Sequence, residues 1–311
     1  MGVTPWASGH RLEVFVGLSV EGVTVHLVPL TFPAHQTFVL PLKLWRPRWF
    51  DGTALVVGSG SPDLFNAFAN FDTFDSHGWD GIAAAVPFAI IYAILLRRFA
   101  ADGLFGSMPD FGPLRVKSYR VLKAGRPGFL VTALSGLIGV ASHVLVDSFT
   151  HTDRFGANLF GLNRVLLEGS MGPVHAAKLL QYIGHTFGSL VGVVLFVLVV
   201  SRRHLAEWYG GEEVTHARDR AMPNAARPVA IAVLTVSVAV GAVWGWVLGT
   251  LPIFHVGFCL VLAFLVVGII NGRTGDAARF SECLDTCIHH DMRSSTLSVE
   301  RSLKTSHRSA T

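Results

Sequence analysis

In Ser142-His143-Val-Leu-Val-Asp147-Ser-Phe-Thr-His151 a histidine and a carboxylate stand four residues apart, and another histidine follows four further on. Four residues is close to one helical turn, so His143 and Asp147 share a face, and His151 joins them if the helix persists. An imidazole and a carboxylate at this spacing can chelate one divalent metal from a rigid element. They can equally form a local hydrogen bond that caps the helix, and spacing alone leaves the two readings level. Four more groups of suitable chemistry lie in separate segments: His35, Asp63, His77 and His185. Asp63 closes Gly58-Ser-Gly-Ser-Pro62-Asp63, read here as a tight turn able to aim the carboxylate. Asp72, Asp75 and Ser76 precede His77, while Trp79 and Asp80 read as an interfacial anchor and a helix cap.

Whether these groups meet depends on the elements that carry them. The 311 residues are 51% hydrophobic and only 15% charged, with a mean hydropathy of +0.49. Soluble domains carry roughly a quarter charged residues, so a lipid-facing surface accounts for the deficit. The basic residues fall in short clusters between apolar runs, which suits membrane topology and not a nucleic-acid stripe. The predicted class is therefore all-α: a polytopic helical membrane protein with about five full transmembrane helices plus a short N-terminal helical hairpin. The spans are placed at 81–96, 128–146, 186–200, 228–248 and 252–271. The first and third are short and must borrow neighbouring residues. Gly188 and Gly192 in the third would allow close helix packing.

Basic residues concentrate between the first and second spans (Arg97 to Arg126), between the third and fourth (Arg202 to Arg227), and in the tail. The positive-inside rule puts these segments, and the C-terminus, in the cytoplasm. Residues 36–62 hold two apolar pieces separated by Trp45-Arg-Pro-Arg-Trp49, each too short to cross. They are read as a shallow hairpin of two half-length helices that returns His35 and Asp63 to one side; a deeper insertion needs more length. The expected organisation is 1–27 as an N-terminal extension without a signal-peptide pattern, 28–200 as the membrane domain carrying the polar motifs, and 201–227 as a cytoplasmic loop. Residues 228–271 follow as two C-terminal spans, and 272–311 as a polar, disordered tail.

This topology gathers His35, Asp63, His77, His143, Asp147, His151 and His185 on the extracytoplasmic face. Ionisable groups near membrane depth are costly and mark function by default. Convergence of mixed His and Asp groups from distant positions suits zinc, with manganese or iron also accommodated. Seven groups exceed one tetrahedral shell; they would serve two metals, or one metal with supporting partners. His175 and His255 read as ordinary loop histidines at a wet interface. Cys259 reads as a small core residue. Cys283 and Cys287, near His289 and His290, lack a second ligand pair.

Pro33-Ala34-His35, Gly58-to-Asp63, Ser76-His77, Ser142-to-His151 and Gly184-His185 occur in an order that resembles the bacterial membrane family called domain of unknown function 4184. The resemblance covers roughly 28–200 and leaves the last two spans outside. That family is similar to inner-membrane proteins described as metal-dependent hydrolases and, more remotely, to zinc-dependent phospholipase C. The resemblance implies His35, Asp63, His77, His143 and Asp147 as metal ligands. It leaves His151 and His185 as ligands, supporting residues or catalytic groups facing a substrate. Ser76-His77 replaces the family's usual Thr-His and keeps the hydroxyl. The implied activity is metal-dependent hydrolysis of an amphiphilic substrate such as a lipid phosphoester. Two rivals stay open, a non-catalytic metal site for structure or sensing and a transporter; ionisable groups bunched at one end argue against the latter.

Overall fold

The structure is a computed structural model that describes residues 16–20, 23–27, 31–68, 75–125, 127–169, 172–201, 203–249 and 252–277. Asp72 and the 283–290 stretch lie outside these residues. Five helices among them are long and apolar enough to cross a membrane: Trp79–Ser107, Phe129–Thr150, Ala176–Val200, Ala226–Val247 and Pro252–Ala277. The protein is a polytopic helical bundle. Its large apolar side chains face outward in quantity, as lipid contact requires: Leu134, Leu145, Leu190, Val194 and Ile231 are all exposed. Two small antiparallel ladders, Val16–Val20 with Val23–Leu27 and Val165–Gly169 with Gly172–His175, are added to this helical frame.

The first and third spans are much longer than their apolar cores suggest. The first runs on through a π-helical stretch, Leu96–Ala100, to Ser107. The third starts at Ala176, ten residues before the apolar run, so His185 sits in its third turn and not at its beginning. The polar residues that hid this start, Gln181 and His185, are buried against neighbouring helices and face no lipid.

The hairpin consists of Gln36–Trp45 and Gly52–Phe65, roughly 15 and 21 Å long, each short of the ~30 Å hydrocarbon core. It runs further along the neighbouring spans than a shallow dip of its short apolar pieces would suggest. Asp51, at its tip, meets Arg97 of the first span and Thr132 and Ser135 near the start of the second. Asp63, at the other end of the same arm, meets His143. The second arm thus lies along the second span over most of its length. Buried polar partners make the added contact tolerable: Asp51 caps the arm through the backbone amides of Thr53 and Ala54, at 3.1 and 3.3 Å. Lys43 closes the turn by donating to the carbonyls of Pro47 (2.6 Å) and Phe50 (2.9 Å). Trp45 and Trp49 flank Arg46 at the exposed tip, an arrangement suited to a membrane–water boundary.

Small residues let the hairpin approach this closely. A β-carbon on Gly58 would fall 2.6 Å from the Gly136 carbonyl oxygen, and one on Gly139 would fall 2.6 Å from that of Leu55. A similar notch in the third span receives the start of the first arm. A β-carbon on Gly192 would lie 2.6 Å from the Pro33 carbonyl oxygen, and Thr37 donates to the Gly188 carbonyl at 2.7 Å. These two contacts carry Asp63 and His35 to the same place.

Candidate metal centre

At the end of the bundle away from Asp51, Asp63, His77, His143 and Asp147 form a buried cluster geometrically able to hold a divalent metal. One ligand atom from each lies within 4.8 Å of all the others. His143 and Asp147 come from one face of the second span, as their spacing predicts, with Nε2 and Oδ2 3.1 Å apart. His77 Nε2 lies 3.0 Å from Asp147 Oδ2 and 3.1 Å from His143 Nε2. Asp63 Oδ1 stands 3.5 Å from His77 Nε2 and 3.6 Å from His143 Nε2. Ligands about 2.0–2.2 Å from a tetrahedral ion stand roughly 3.3–3.6 Å apart, so the set needs only slight expansion to enclose one.

The hydrogen bonds behind the imidazoles fix which nitrogen faces the centre. His143 Nδ1 lies 2.8 Å from the Ser59 carbonyl, which can only accept, so Nδ1 carries the proton and Nε2 the lone pair. Ser76 donates its one hydroxyl proton to Asn66, and so must accept from His77 Nδ1 at 2.9 Å. His77 therefore also presents Nε2. Two lone pairs and two carboxylates facing one point need a positive charge between them. Without a metal, a proton on His77 supplies it. Burial would depress this imidazole, but the hydrogen bonds it donates to the Asp147 and Asp63 carboxylates hold it up at about 9.

Asp63 reaches the site from a helix and not from a turn: Gly52–Phe65 continues through Ser61-Pro62-Asp63. The glycines and proline that suggested a turn serve the close approach to Gly136 and Gly139. His151 does not extend the stripe of His143 and Asp147 helically, because the second span ends at Thr150 and His151 is extended. It is half-buried, with Nδ1 3.9 Å from Asp147 Oδ1 and Nε2 3.1 Å from the Gln181 amide. Burial lowers its basicity, opposed by Asp147. His35 is buried, stacked on His143 at 4.0 Å between ring centroids, with Nε2 3.5 Å from Asp147 Oδ1. His185 is edge-on to His35 at 5.5 Å. All seven groups thus converge, four in the tight cluster and three around it.

The two histidines set aside behave differently from each other. His175 stays near the surface, 2.6 Å from the Asn163 carbonyl. His255 is no loop residue: it is fully buried in the fifth span beside Trp244. Asn66, Gln181 and the Ser59 carbonyl, which orient the histidines, gave no signal in the sequence. Only Asn66, one turn beyond Asp63, could have been picked out by helical spacing, had that segment been read as a helix.

A cavity of about 200 Å³ opens onto Asp147 and His77, lined also by Val144, Ser148, Arg154 and Phe155. Arg154 pairs with Asp75 at 3.2 Å. A larger cavity of about 580 Å³ lies elsewhere, lined by Lys117, Arg218, Arg220 and Arg227 with Asp110 and Asp219.

No curated protein and no solved structure matches this chain. Residues 28–276 match the family described as Domain of unknown function (DUF4184), which takes in the last two spans as well as the motif-bearing segment. With four-fifths of its length so matched, the chain belongs to the DUF4184 family.

Proposed function

We propose that the protein is a membrane-embedded metal-dependent hydrolase whose metal is held by Asp63, His77, His143 and Asp147. The observation that carries this is the pair of Nε2 lone pairs, fixed by Ser59 and Ser76, aimed with two carboxylates at one buried point. Zinc fits this donor set best, and manganese or iron would also be accepted. Bound there, such an ion supplies Lewis acidity, polarising a scissile group and lowering the pKa of water.

The residues do the rest. The 200 Å³ cavity gives access beside Asp147 and His77, so the centre is reachable and not sealed. Arg154 at its lip offers a guanidinium to an anionic group, and exposed Phe155 in its lining offers an apolar surface that an acyl chain could cover. These features support an amphiphilic phosphoester as substrate. His151, half-exposed and hydrogen-bonded to Gln181, is placed to move a proton at its Nδ1. Neither His151 nor His185 lines this cavity directly, and His35 lies behind His143, which suits His185 and His35 to support more than to contact with substrate.

The basic clusters of the sequence fall at the end of the bundle opposite the site, around Arg97, Arg120 and Arg218. The positive-inside rule then supports a site at the outer face of a bacterial plasma membrane and a cytoplasmic C-terminus. Reporter fusions after Lys123 and after His151 should report opposite sides. The same side for both would sink that orientation.

A non-catalytic site for structure or sensing is favoured by one observation, that four groups could close a tetrahedral shell unaided. The discriminating experiment loads purified protein with zinc, manganese or iron in nanodiscs and follows hydrolysis of a lipid phosphodiester and a phosphomonoester. Metal-dependent turnover lost in His143→Ala supports the hydrolase. Stoichiometric metal without turnover of either ester would favour the non-catalytic reading, and wild-type protein without metal would remove both.

A further inference from the structure

A second pair of imidazoles sits immediately behind the first cluster, with no hydrogen bond of its own. His35 and His185 are 2% and 6% exposed, and all four of their ring nitrogens are buried without a hydrogen bond. Nearby, the side-chain carbonyls of Gln36 and Gln181 and the hydroxyl of Tyr182 are buried in the same condition. Native interiors leave few polar atoms unsatisfied, and such a concentration calls for a ligand.

Asp147 shows where that ligand belongs. Its Oδ2 faces the cluster described above, 3.0 and 3.1 Å from His77 and His143. Its Oδ1 faces the other way, 3.5 Å from His35 Nε2 and 3.9 Å from His151 Nδ1. One carboxylate thus presents an oxygen to each of two groups of imidazoles, which is how a bridging ligand stands between two ions. His185 adjoins His35, its ring edge-on to it at 5.5 Å, and both bring unsatisfied nitrogens to this side of Asp147. Thr150 donates to Oδ1 at 3.4 Å and steadies it.

We infer that His35 and His185, with Oδ1 of Asp147, hold a second divalent cation beside the first. The inference rests on the metal-site reading above. It gives His35 and His185 the task of binding a cation that the first four residues cannot reach. Two ions bridged by one carboxylate stand about 3.5–4 Å apart, the separation at which a phosphoester oxygen can span both.

Metal content per chain separates this inference from the reading beneath it. Wild-type protein in nanodiscs, stripped and reloaded with zinc, should carry two zinc ions per chain. His185→Ala and His35→Ala should carry one, Asp63→Asn should lose the other, and Asp147→Ala should lose both. One zinc in the wild type, unchanged in His185→Ala, would leave those nitrogens to water and overturn the second site while sparing the first. No zinc in the wild type would overturn both. Manganese-loaded wild-type protein guards against misfolded variants. Two adjacent Mn(II) ions give a spin-coupled paramagnetic resonance spectrum at full loading, and an isolated six-line spectrum at that loading refutes the pair.

Discussion

The two ends of the helical bundle handle buried carboxylates in opposite ways. At the basic end, Asp51 and Asp102 are answered by arginine. Asp51 receives Arg97, the Thr132 hydroxyl (2.8 Å) and two backbone amides. Asp102 receives Arg120 and Arg220, both at 2.9 Å. At the other end, the groups of ionisable type that answer Asp63 and Asp147 among the described residues are histidines, helped by the neutral donors Asn66 and Thr150. Guanidinium never gives up its charge, so an Arg–Asp contact is complete as it stands. Imidazole is neutral at ordinary pH unless a proton or metal joins it, so a His–Asp cluster stays open to either. Both ends bury charge in a membrane protein, but one is a fastening and the other is a receptacle.

This contrast can be broken by mutation. Arg97→Met strands the Asp51 carboxylate beneath the hairpin tip, and loss of one partner of a buried pair costs about 3–5 kcal/mol. Thermal unfolding in detergent should drop sharply, while metal content in the surviving folded fraction stays normal. His143→Ala should do the reverse: bound metal disappears, and the melting temperature of metal-free protein changes far less than in Arg97→Met. If both variants lost metal and stability together, the two ends would be one cooperative unit and the contrast would fail.

Proton competition sharpens it next. In metal-free protein His77 titrates at about 9, above its ordinary 6.5. The stabilisation from its protonated form is therefore complete below about 6.5 and is lost as pH rises through 9. A metal must displace that proton, so apparent affinity should fall by roughly tenfold per unit as pH drops from 9 toward 7. Titration with zinc at several pH values reads the slope. The arginine-closed end predicts no matching change in stability over that range. The smallest effect belongs to Ser76→Ala, which frees the His77 ring without touching a ligand. Loss of such an orienting partner typically weakens metal binding 10–100-fold, and Ser76→Thr should restore it.

What the sequence disclosed about each end follows from how local the signal was. His143 and Asp147 share one helix, so their spacing was enough to put them on one face, though not to choose between a metal and a local hydrogen bond. His35, His77 and His185 were recoverable because alternating basic loops assign each to one face. The fastening at the basic end was invisible. Nothing local ties Asp51 to Arg97 or Thr132, which are 46 and 81 residues away. Without that pairing the hairpin reads as shallow, since its apolar pieces are short. The Asp63 helix was misread for a related reason. Glycine, serine and proline usually signal turns, and only the facing Gly136 and Gly139 explain why a helix there is made of small residues. The third span's early start was masked by Gln181 and His185, polar residues that turn inward to the site.

The short arms of the hairpin also bear on the order in which the protein is assembled. Neither arm can cross a bilayer by itself, yet one delivers His35 and the other Asp63. The groove that receives them is made by Gly136 and Gly139 of the second span and Gly188 and Gly192 of the third, all synthesised later. The first segment of the bundle to leave the ribosome is thus among the last to find its seat. A cysteine placed at Ser59, fully buried against the second span, should stay open to a thiol reagent in chains truncated before residue 129, and become protected once the second and third spans have been made.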